Sequence, residues 1–196
     1  MLKLMSHRYV IWTLLTLPLA WMLYIHKAYK FGGGDFFYWT GVLCGAFALA
    51  SLSITPVTKI FKTMPGRSWL IRQRRYLGLA AFGYLIAHTA YFIYRATPDR
   101  MLKTLERPAE AIAWISLVIF LALAVTSNDW SVRKMGPNWK RLQRWTYLAT
   151  FLGLLHWFWA LRFPVDDTVV YGGIFVLLML YRVVQRRSAK PKPLKP

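Results

Sequence analysis

The sequence predicts an all-α membrane protein, a polytopic bundle of six transmembrane helices with both termini in the cytoplasm. Three observations predict it. The 196-residue chain is 57% hydrophobic yet carries a formal charge of +19, a pairing natural to apolar spans joined by basic loops. Its apolar residues gather into six segments, most of them near the roughly 20 residues a helix needs to cross about 30 Å of hydrocarbon. Its basic residues alternate from side to side. Of the 26 Lys and Arg, 19 fall in the N-terminal stretch, the second and fourth connections and the C-terminal end, and seven in the other connections. The positive-inside rule places the richer side in the cytoplasm. The charge is therefore topological, which removes the main argument for a nucleic-acid surface.

The first span runs from Val10 to Ile25. It has the basic start of a signal peptide, but "LYIHKAYKF" follows without a small-residue cleavage site, so it reads as a retained span. The second runs from Phe36 to about Ile60, with Pro56 bending or ending it near its last turn. The third is Tyr76 to Tyr94, the fourth Ala111 to Thr126, the fifth Trp145 to Leu161 and the sixth Val169 to Val184. Unpaired backbone groups are too costly in lipid for any of these to be other than helical. Residues 1–187 form one domain, and 188–196, with the Lys/Pro run "SAKPKPLKP", form a basic cytoplasmic tail predicted to be disordered. The one cysteine, Cys44, excludes an intramolecular disulfide and reads as a small buried hydrophobe.

Two spans carry a histidine inside an apolar run: His88 in "YLIAHTAYF" and His156 in "LGLLHWFWA". His88 lies about 20 Å from Arg75 and about 10 Å from Arg95 along its helix; His156 lies about 18 Å from Arg144 and about 9 Å from Arg162. Both spans run inside to outside, so the two imidazoles share one depth in the outer half of the membrane. The segments are weak repeats, "RQRRYLGLAAFGYLIAH" against "KRLQRWTYLATFLGLLH". Ala81 and Tyr84 lie below His88, and Ala149 and Gly153 below His156; the small residues leave room for close helices or for something flat between them. One reading is that each histidine bonds to a neighbouring helix. The other is that the pair ligates haem iron axially, which equal depth on separate helices favours. Zinc lacks a third and fourth ligand at that depth. Arg95 and Arg162 are candidate partners for haem propionates, with interfacial anchoring as the alternative. His26 reads as interfacial and His7 as solvated.

The stretches "TGVLCGAFALASLSITPV", "RSWLIRQRRYLGLAAFGYLIAH" and "LALAVTSNDWSVRKMGPNWKRLQRWTYLATFLGLLH" together resemble the MsrQ/YedZ family, the haem-binding membrane subunits of the bacterial periplasmic methionine sulfoxide reductase system, within the ferric-reductase-like transmembrane group. The resemblance covers about Phe36 to Arg187. It implies a multi-pass inner-membrane protein with b-type haem and flavin mononucleotide (FMN). Such a protein passes electrons outward to a periplasmic molybdopterin-dependent methionine sulfoxide reductase that repairs oxidised proteins. His88 and His156 match the family's haem-ligand positions. Some relatives carry a third histidine where this chain has Gln143, so one haem is expected.

The outer connections are about 10, 16 and 7 residues long, too short to fold a catalytic domain of their own. The chain therefore reads as an electron-transfer subunit without a substrate-converting site, fed by membrane quinol or a cytoplasmic flavin reductase. The alternatives are a membrane ferric- or quinone-reducing cytochrome b and a non-redox polytopic protein. A transporter is disfavoured because no acid lies inside a span.

Overall fold

The computed structural model describes residues 8–28, 33–160 and 166–188. Arg162, His7 and the tail from residue 189 lie outside them. The described residues are helical throughout, joined by short turns and without strands. In chain order the helices are α1 (Arg8–Ala28), α2 (Gly33–Ile60), α3 (Arg67–Arg95), α4 (Pro98–Lys103), α5 (Pro108–Val125), α6 (Asp129–Met135), α7 (Pro137–Gln143), α8 (Thr146–Ala160) and α9 (Asp166–Ser188).

Five of these, α1, α2, α3, α5 and α9, are long and apolar enough to cross a membrane. Of the fifth expected span, Trp145–Leu161, the described residues include all but Leu161. α8 has 15 residues, about 22 Å, below the thickness of the hydrocarbon. A tight turn at Arg144 and Trp145 joins it to α7, with Arg144 N–H and Trp145 N–H bonding three residues back. The other spans begin before their expected starts; α3 begins nine residues before Tyr76, because its basic first turns continue the helix beyond the apolar stretch.

The three short helices in the connections have local causes. Thr97 caps α4 by accepting from Arg100 N–H at 3.4 Å, with Pro98 pre-set at the first position. Asn128 caps α6 by accepting from Ser131 N–H at 2.8 Å. Gly136 separates α6 from α7 at φ +51°, a conformation that a Cβ would strain.

Contacts between side chains fix which helix ends meet. His26 of α1 packs on Phe36 of α2 and Tyr91 of α3, and Tyr38 of α2 donates a hydrogen bond to the Asp167 carboxylate of α9. Ala109 of α5 meets His156 of α8. One end of the bundle thus gathers the C-termini of α1, α3 and α8 with the N-termini of α2, α5 and α9. At the opposite end Arg67 reaches the Thr58 carbonyl, and Arg75 pairs with Asp129 at 2.7 Å. The Arg75 guanidinium holds the Asp129 carboxyl below its usual range; both side chains are exposed, so solvent screens the pair.

α2 is the central helix. It contributes Ala48 to a core with Ala81, Phe120, Leu123 and Ala149, Phe36 to one with Met22 and Tyr84, and Leu49 and Leu52 to one with Phe175. The most extensively packed pairs are α2 with α3 and α5 with α8. The outward faces are apolar, with Trp21 60% and Leu177 67% exposed, as lipid contact requires. Pro18 interrupts the bonding ladder of α1. Nearby, the Tyr84 hydroxyl accepts from Leu19 N–H at 3.1 Å and donates to the Leu15 carbonyl at 3.0 Å, so a side chain from α3 is inserted into the opened turn.

Candidate functional site

His88 and His156 both lie at the end of the bundle that holds Phe36, Ala109 and Asp167. Each follows a fully buried alanine, Ala81 or Ala149, by seven residues. Seven residues return to the same helical face about 10 Å higher. The two alanines share one core cluster. The faces that meet there therefore carry the histidines toward each other two turns above. The imidazoles are near enough to interact electrostatically.

The two rings are held in the same way. His88 Nδ1 lies 2.9 Å from the Phe37 carbonyl oxygen and 3.4 Å from Thr40 Oγ1. His156 Nδ1 lies 2.8 Å from the Ala109 carbonyl oxygen. A carbonyl can only accept, so Nδ1 carries the proton in both rings and Nε2 keeps its lone pair. In each case the carbonyl comes from near the N-terminus of the neighbouring helix, α2 or α5. Such a hydrogen bond fixes the orientation and tautomer of a metal-ligating histidine and raises its basicity.

Aromatic and small residues pack around the two histidines. The Phe37 ring stacks on His88 with centroids 3.9 Å apart and planes 23° from parallel. Gly41 lies against the same imidazole, where an added Cβ would sit 3.2 Å from Cε1 and Nδ1. Trp157, next to His156, packs edge-on to Tyr171 at 5.2 Å and to Tyr38 at 6.2 Å. Among the described residues no three His, Cys, Asp or Glu side chains converge. Two imidazoles with free Nε2 and no third protein ligand fit an iron whose other four positions a porphyrin fills, and they do not complete a zinc site.

For FMN the described residues offer no comparable set. One cavity, about 480 Å³, is lined by Gly136, Pro137, Lys140, Arg141 and Arg144, with no aromatic ring to stack on an isoalloxazine. No step is assigned to a flavin.

Arg95 is exposed at the end of α3, as its spacing from His88 predicts. Gln143 occupies the opposite end of the bundle. Its Nε2 donates to the Leu123 carbonyl at 3.3 Å and to Thr126 Oγ1 at 3.4 Å, fastening α7 to the last turn of α5. Phe37, Thr40, Gly41 and Ala109 went unsingled in the sequence. Two of them act through main-chain carbonyls, for which side-chain identity gives no signal. Gly41, in the run "TGVLCG", was the one with a signal.

Comparison with known proteins bears on this arrangement. The family described as ferric reductase like transmembrane component matches residues 11–154, which include His88 and stop just before His156. A protein-methionine-sulfoxide reductase heme-binding subunit MsrQ from Rhizobium meliloti (strain 1021) is 32% identical over 178 residues, covering 87% of this chain and 80% of the relative. The MsrQ of Brucella anthropi is 31% identical over 186 residues, covering 90% and 81%. No solved structure matches the chain.

Proposed function

We propose that this chain, which belongs to the family of ferric reductase-like transmembrane components and within it to the MsrQ/YedZ subunits, is a b-type cytochrome that delivers electrons to a methionine sulfoxide reductase. The observation that carries the reading is the matched pair His88 and His156, each with Nδ1 committed to a carbonyl and Nε2 left over. Haem, when bound, supplies a one-electron redox centre. The chain's residues hold and tune it. The Phe37 and Ala109 carbonyls set the ring planes and the donor strength of the two nitrogens. The aromatic walls limit water, which sets the local dielectric and with it the potential. We assign Arg95, and Arg162 beyond the described residues, as the residues that would hold the propionates by charge-assisted hydrogen bonds.

The same reading sets the chain in the bacterial inner membrane with six spans, α7 and α8 together supplying the fifth, and both termini in the cytoplasm. The support is the side-to-side division of Lys and Arg. Reporter fusions after residue 100 are expected to report the periplasm and fusions after residue 190 the cytoplasm. A periplasmic signal from the C-terminus would reverse the topology.

Electrons then enter from quinol or a flavin reductase and leave to a periplasmic molybdopterin-dependent catalytic subunit. Reconstitution tests this. With the protein in membranes and its haem chemically reduced, reoxidation is expected only when both the periplasmic reductase and a methionine sulfoxide substrate are present. Failure to reoxidise with both present overturns the assignment. Reoxidation by a ferric chelate or quinone alone, at the same rate, would instead assign the chain to direct metal or quinone reduction.

A further inference from the structure

At the end of the bundle away from the histidines, a cavity of about 240 Å³ opens between the last turns of α2 and α9. Thr55, Pro56 and Lys59 line it on one side and Tyr181, Arg182, Gln185 and Arg186 on the other. Arg182 lies among the helices. Its Nη1 donates to the Tyr147 hydroxyl of α8 at 2.6 Å and its Nη2 to the Leu52 carbonyl of α2 at 2.7 Å, with the guanidinium 4.6 Å above the Tyr147 ring. Its Nε is buried without a hydrogen-bond partner. Arg74 and Arg186 are near enough to repel it, and Arg74 reaches Thr55 Oγ1 at 3.5 Å. Three cations thus line one small cavity, with Arg74 behind Thr55 as a fourth nearby; no carboxylate lines it, and the ion pairs of the described residues lie elsewhere.

Helix dipoles explain part of this. Lys59 and Arg186 sit in last turns, where positive charge is favoured. The dipoles do not explain why Arg182 and Arg74 converge on the same place, nor the orphaned Nε. A buried donor without an acceptor is costly, and clustered like charges add to that cost unless an anion relieves both.

We infer that this cavity is a binding site for a phosphate group, held by Lys59, Arg182 and Arg186 at the cytoplasmic rim of the membrane. The volume is below the roughly 300–1,000 Å³ usual for small-molecule sites, so it suits a single phosphate and not a flavin or a porphyrin. The phosphate can come from an anionic phospholipid headgroup or from solution. The position at the ends of two spans, beside the exposed Ile60, Val183 and Val184, suits a lipid whose tails run along them. The site holds α9 against α2 and α8, and it does not depend on the haem reading.

The test compares three full-length proteins in nanodiscs: wild type, Lys59→Gln/Arg186→Gln, and Lys62→Gln/Arg72→Gln as a control that removes two exposed cations outside the cavity. Arg182 is left intact because it also ties three helices together. Thermal unfolding is followed in phosphatidylcholine alone, in phosphatidylcholine with phosphatidylglycerol, and in phosphatidylcholine with added inorganic phosphate. Phosphatidylglycerol is expected to raise the Tm of wild type and control, and the apparent affinity is expected to fall roughly tenfold in Lys59→Gln/Arg186→Gln. A rise with phosphatidylglycerol only assigns the site to a lipid headgroup; a rise with inorganic phosphate assigns it to the soluble ion; either supports the site. No rise in either arm, or an equal loss in both double variants, overturns it.

Discussion

His88→Ala and His156→Ala are each expected to leave the purified protein with little or no haem. In either variant the iron keeps one imidazole, and no side chain stands ready to replace the other, since no third metal-ligating group converges there among the described residues. Removing even an outer partner of a metal ligand commonly costs 10–100-fold in affinity, so loss of the ligand itself is expected to lower haem occupancy by at least about tenfold. The absorption spectrum of protein purified from haem-replete cells is the readout. His26→Ala is the control: its ring packs on Phe36 and Tyr91, and it is expected to keep the haem. Arg95→Gln is expected to keep it as well and to shift its potential; an unchanged potential assigns Arg95 to the membrane interface. Full haem content in His156→Ala, or two haems per wild-type chain, would refute the ligand pair.

Ala81→Leu or Ala149→Leu should damage the site as severely without touching a ligand. Both alanines are fully buried where α3 and α8 converge on Phe120 and Leu123. Forcing extra methylenes into a filled core costs typically 1–3 kcal/mol, and here relief comes only by separating the two helices that carry the histidines. The expected outcome is a lowered unfolding temperature together with low-occupancy or high-spin haem. Ala122→Leu, on an exposed face of α5, is expected to change neither. A stable, fully haem-loaded Ala149→Leu protein would mean that the histidines are not set by that contact.

The same alanines show how much of the site could be read in advance. The equal depth of His88 and His156 followed from counting residues to flanking charges, and the small residues on their faces followed from helical periodicity; both survive folding because a helix is a fixed ruler. The partners of the two Nδ1 atoms were not legible, because Phe37 and Ala109 offer backbone oxygens from distant segments. α4, α6 and α7 escaped notice because six or seven residues show no clear period, and they depend on caps at Thr97 and Asn128 and a turn at Gly136. Trp145, expected to open the fifth span, falls in the turn before α8, and Leu161, expected to close it, lies outside the described residues. Arg182, counted with the basic C-terminal end, lies between α2, α8 and α9, where two acceptors offset the burial of its charge.

The packing of α2 on α3 and of α5 on α8 has a consequence for biogenesis. Each pair is a hairpin that orients its own histidine internally: α2 supplies the carbonyl for His88, and α5 the carbonyl for His156. Each pair therefore orients its imidazole through contacts within the pair, and the two imidazole-bearing faces are brought together by packing between the pairs at Ala81 and Ala149. On the proposed reading the haem would sit at the seam between the two helix pairs. A group held by both imidazoles would add one more link to the core around Ala81 and Ala149, the packing of α9 on α2 and α8 and the Arg75–Asp129 pair, so its absence is expected to loosen that seam without parting the two pairs.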